Sequence, residues 1–159
     1  MSWDAVRRLA ARLGSETGDL SSGHERWGVY QHAADTPETW PDLLAALKSE
    51  PDQPVASAVV VQLLERVPPG MRGGVVGVLT EGKSRDFAEA RSRELGILES
   101  LAAGRYGADP AQLGSWSTWL QLRAASEATD EAVLAELARS GRTKRVRSVA
   151  SQRSSGQEP

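Results

Sequence analysis

The sequence predicts an all-α fold, a single domain of about seven or eight helices. Apolar residues recur three and four positions apart wherever a period is legible, and Ser, Thr, Asp and Gly stand where helices should begin and end. The 159 residues are 40% hydrophobic and 25% charged, the balance of a globular chain long enough to bury a core. Residues 1–151 are expected to form the helical domain and residues 152–159 a disordered tail.

Residues 2–13 start at Ser2 as N-cap, set Trp3, Val6, Leu9 and Leu13 on one face, and stop at Gly14. The polar SETGDLSSGH reads as a loop, and ERWGVYQHAA as a short helix weakened by Gly28. At 39–49, Trp40, Leu43, Leu44 and Leu47 follow the i, i+3, i+4, i+7 pattern, with Pro41 in the first turn. Residues 54–67 hold four valines in seven positions, which suits a strand, but the length favours a helix. Its stripe of Val55, Val59, Val60, Leu63, Leu64 and Val67 predicts a largely buried central helix, entered through Asp52 as N-cap. Helices are also predicted over 84–102, ending at Gly104, and over 111–125, where Trp116, Trp119 and Leu120 share a face. Thr129 is the expected cap of DEAVLAELARS, and Thr143 that of KRVRSVASQ.

GVLTEGKS, Gly77 to Ser84, fits the phosphate-loop pattern G-x-x-x-x-G-K-[ST]. A nucleotide site here would use Gly77, Gly82, Lys83 and Ser84, with Lys83 on the phosphates and Ser84 on magnesium. Such a loop needs a buried strand leading in, whereas RGGVV offers two valines behind two glycines. Glu81 would repel phosphate, and no later apolar run ends in an Asp that could hold the metal. The preferred reading is an interhelical turn with Gly82 as terminator and Ser84 as N-cap.

No other motif carries catalysis, and no cofactor is expected. The chain has no cysteine, which removes thiolate ligands and a cysteine nucleophile. The two histidines, His24 and His32, fit no metal-binding spacing and serve no nucleophile elbow. Asp4 and three arginines interrupt the apolar pattern at the start of the chain, and no apolar run approaches 18 residues. A cytoplasmic protein with no membrane partner is expected.

Charge is segregated although the net charge is only −2. From Ser15 to Asp52, eight acids face only Arg26 and Lys48. From Arg139 to Arg153 there are six bases and no acid. On a helical wheel Val146, Val149 and Ala150 form an apolar stripe, with Lys144 and Arg147 opposite it and Arg145 at its flank. Arg142, Lys144, Arg145 and Arg147 are therefore candidate partner-binding residues; the alternative is a solvated helix whose cations sit near helix C-termini. Trp27, Trp40 and Trp116, three of five tryptophans, are candidate interface anchors, though tryptophan at helical spacing more often builds core.

LAELARSGRTKRVRSVA, 134–150, pairs a Leu/Ala helix and a tight turn with an x-V-R-x-x-V-A helix. An approximate copy, LAALKSEPDQPVASAVV, spans 44–60, and LESLAAGRYGADPAQLGSW, 98–116, suits a degenerate third unit. These stretches resemble the HEAT-like and leucine-rich-variant class of α-helical repeats. The resemblance implies helices partly stacked as HEAT-like pairs, whose concave face binds another macromolecule. The expected function is a non-catalytic protein-binding or adaptor module. One alternative is a nucleic-acid-associated helical protein using the basic C-terminal helix; another is a phosphate-loop nucleotide-binding enzyme at Gly77–Ser84.

Overall fold

The structure, a computed structural model, describes residues 2–106 and 109–156. Helix makes up 73% of it, and no strand occurs among the described residues. The α-helices are α1 (Asp4–Leu13), α2 (Gly23–Ala34), α3 (Trp40–Lys48), α4 (Gln53–Leu64), α5 (Arg72–Val76), α6 (Lys83–Ala102), α7 (Pro110–Ser115), α8 (Thr118–Glu127), α9 (Glu131–Ser140) and α10 (Lys144–Ser155). No described helix is long and apolar enough to cross a membrane.

The ten α-helices of the described residues exceed the seven or eight expected, and two local events account for the difference. RGGVV is helical because burying Val75 and Val76 outweighs the cost of two glycines. The stretch expected as one helix over 111–125 breaks at Trp116 and Ser117, both extended, and the Ser117 hydroxyl accepts from Leu120 N at 3.1 Å to cap α8. Three caps differ as well. Trp3 rather than Ser2 precedes α1; Asp130 rather than Thr129 caps α9, accepting from Ala132 N and Val133 N; and Ser84 lies inside α6. The expected caps Asp52 and Thr143 accept from Val55 N and Val146 N. Helix α10 continues to Ser155, beyond the expected start of the tail; residues 157–159 lie outside the described residues, as do 107–108 within the third repeat-like stretch.

The chain divides into two compact units, residues 1–92 and 93–159, with the boundary inside α6. In the first unit α3 packs on α1 and α2, and α4 packs on α2 and α5. Its core includes Leu9, Tyr30, Leu43, Leu47, Val59, Val60, Leu63 and Leu64, so the valine-rich stretch is the buried helix expected. In the second unit α10 packs on α9 and α8 around Leu113, Trp116, Leu120, Val133, Leu134, Leu137, Val146 and Ala150. Each such Leu or Val contributes about 1.5–3 kcal/mol when fully buried.

Candidate functional site

The clearest candidate is the corner between α9 and α10, because its backbone is braced and its charge is unopposed. Gly141 turns the chain there: a Cβ on it would lie 2.6 Å from Leu137 O and 2.7 Å from Val146 Cγ1, so only glycine fits. Gln121 of α8, 1% exposed, donates through Nε2 to Leu113 O and accepts from Arg142 N through Oε1, each at 2.8 Å. Both halves of a buried amide are thereby used to hold the turn. Thr143 caps α10, and farther along Arg153 Nη1 donates to Ala128 O at 2.6 Å.

On this frame the six bases separate into two groups. Arg139 pairs with Glu136, whose pKa is lowered by the Ser140 hydroxyl and then by Arg139 itself. Arg147, expected opposite the apolar stripe, is instead half-buried and donates to Gly141 O at 2.6 Å, and Arg153 serves the carbonyls at the end of α8. Arg142, Lys144 and Arg145 are exposed and pair with no carboxylate among the described residues. Arg142 donates one hydrogen bond, from Nη2 to Gly114 O at 3.3 Å. The helix-end explanation covers Arg142, which follows Gly141 at the C-terminus of α9, but not Lys144 and Arg145, which occupy the first turn of α10, where the helix dipole disfavours cations by about 0.3–1 kcal/mol each.

The tryptophans divide in the same way. Trp116, named as an interface anchor, is 5% exposed inside the second core with Tyr106 tilted against it at 5.5 Å, so its ring is not presented. Trp40 is half-buried, its Nε1 donating to Ala34 O at 3.1 Å, and Trp27 is half-exposed on α2.

Half of the eight acids in the acidic stretch of the first unit are engaged in ion pairs or a helix cap. Asp35 pairs with Arg66, Asp42 with Arg12 and Glu50 with Arg26, while Asp52 caps α4. Glu16 and Glu25 are exposed without a cation partner among the described residues, and they line a depression of about 220 Å³ together with Ser15, Gly28 and Val29. Ser15 Oγ and His32 Nδ1 share a hydrogen bond at 2.9 Å. Residues 17 apart gave no sequence signal of that contact; only the fold of the α1–α2 loop brings them together.

Gly77, Gly82, Lys83 and Ser84 fall in the turn between α5 and the start of α6. A helix leads in, so the strand that would aim successive N–H groups at a phosphate is missing from this part of the described chain. Gly82 has φ 138°, which a side chain would strain, and its carbonyl accepts from Asp86 N at 3.0 Å as α6 begins. Its glycine is thus explained by the turn alone. No protein family, curated protein or solved structure gives a significant match to this chain.

Proposed function

We propose that this chain is a non-catalytic protein-binding or adaptor module of the cytoplasm, whose binding surface is the basic α9–α10 corner. The observation that carries the reading is the exposure of Arg142, Lys144 and Arg145, without carboxylate partners among the described residues, on a turn braced by buried Gln121. Charge on a braced turn, held at Lys144 and Arg145 against the helix dipole, favours an acidic partner and limits the ordering cost of binding. The helical-repeat reading draws support from α9 and α10, which pack on each other; the 44–60 stretch lends less, since α3 and α4 pack chiefly on other helices.

Nucleic acid is the second reading, supported by six bases without an acid over 139–153. Arg139, Arg147 and Arg153 are engaged within the protein and Arg142 gives one nitrogen to Gly114 O, leaving at most three bases for phosphates, which corresponds to a salt slope no steeper than about −3 and weak nonspecific binding. Affinity capture from the native cell, scored for protein and nucleic acid together, tests both. The reading expects an acidic protein that the wild type retains and the Arg142→Glu, Lys144→Glu, Arg145→Glu variant loses; capture of nucleic acid alone favours the second.

A further inference from the structure

We propose that the chain associates with a second copy of itself, head to tail, the basic corner of one copy docking on the Glu16–Glu25 depression of the next. This rests on the reading of the corner as a binding surface and names a partner for it. The charges are complementary: residues 1–92 carry 13 acids against 10 bases, and residues 93–159 carry nine bases against eight acids. After internal pairing and capping, the exposed groups without a charged partner among the described residues include Arg142, Lys144 and Arg145 on one surface and Glu16 and Glu25 on the other.

Shape agrees with charge. The depression, about 220 Å³, is several times the ~30 Å³ share of one water, which leaves room for a long side chain. Val29 supplies an apolar surface suited to the methylene stem of lysine or arginine, and Gly28 places no side chain in the opening. Glu16 and Glu25 stand beside it to receive the charged head. The two surfaces differ, so the contact is heterologous, and association closes into a ring or continues as a chain.

Sedimentation velocity of the full chain tests this at salt of about 0.01 M, where the Debye length is about 30 Å, and about 1 M, where it is about 3 Å. The wild type should exceed the monomer mass increasingly with concentration at low salt and return to it at high salt. A corner variant (Arg142→Glu, Lys144→Glu, Arg145→Glu) and a depression variant (Glu16→Lys, Glu25→Lys) should each self-associate at least tenfold more weakly. Mixed together they should associate again, since one retains the native depression and the other the native corner. A wild type that stays monomeric at every concentration in low salt overturns the proposal, as does a mixture that fails to associate. If the monomeric wild type still captures an acidic protein through its corner, self-association fails while the binding function stands; loss of both removes both.

Discussion

Arg26 grips Glu50 inside the first unit, with Nη2 2.8 Å from Oε1 and Nε 2.9 Å from Oε2, and the two side chains are 4% and 0% exposed. Tyr30 donates to the same carboxylate at 2.6 Å, and the Arg26 guanidinium carbon lies 4.3 Å from the centre of the Trp3 ring. Nη1 donates to Leu20 O and Ser21 O, so the network also fixes the α1–α2 loop that borders the acidic depression.

Breaking this pair should be costly because it strands a buried charge. Glu50→Ala is expected to lower unfolding free energy by about 3–5 kcal/mol. Asp4→Ala, which removes a solvent-screened pair with Arg7, should leave the stability close to that of the wild type. Urea unfolding of both variants checks the contrast.

Acid should weaken the same network. Burial raises the Glu50 pKa, but the bonds from Arg26, Tyr30 and Asp52 N more than offset it, leaving the carboxyl below its usual range. Its stabilisation is therefore complete above the unfolded glutamate value of about 4.3 and is lost as pH falls through the lower native value. The urea midpoint should drop through that window in the wild type and drop less in Glu50→Gln.

How far the sequence reveals this depends on the range of each interaction. The Gly14 stop, the Asp52 and Thr143 caps and the buried valine helix were legible because each is set by residues within a turn or two. The α7–α8 break was not, since Trp116 and Trp119 imitate one continuous helical face while Ser117 uses its hydroxyl as a cap. The Arg26–Glu50 pair spans 24 positions and read only as one member of an acidic stretch. A signal was present nonetheless: Arg26, Val29, Tyr30, Ala33 and Ala34 form an i, i+3, i+4, i+7, i+8 stripe, and a cation within a buried stripe requires a carboxylate. At the basic corner, charge was legible, but which bases face solvent was not, because Arg147 and Arg153 turn to backbone carbonyls.

The brace beneath the corner should matter separately from its charge. Gln121→Leu would leave the Arg142 N–H and the Leu113 carbonyl without their partner, at about 1–3 kcal/mol. Partner affinity should fall although every cation remains, and hydrogen exchange at Arg142 should quicken.

Nucleotide should have no effect. Millimolar Mg-ATP or Mg-GTP is expected to leave the melting temperature unchanged, in the wild type and in Lys83→Ala alike. A ligand at 100 times its dissociation constant stabilises by about 2.7 kcal/mol, so binding at Gly77–Ser84 would be plain in a thermal melt.

The most direct test of the binding function measures stability and partner capture together in the Arg142→Glu, Lys144→Glu, Arg145→Glu variant. Carboxylates at 144 and 145 suit the dipole at the start of α10, while Arg142→Glu gives up a cation beside the C-terminus of α9 and its bond to Gly114 O, so the variant should melt close to the wild type and keep its helical circular dichroism. It should nevertheless lose the acidic partner that the wild type captures, showing that the cations of the corner serve binding. A variant that retains every partner of the wild type would contradict the account and leave the corner a solvated end of the second unit.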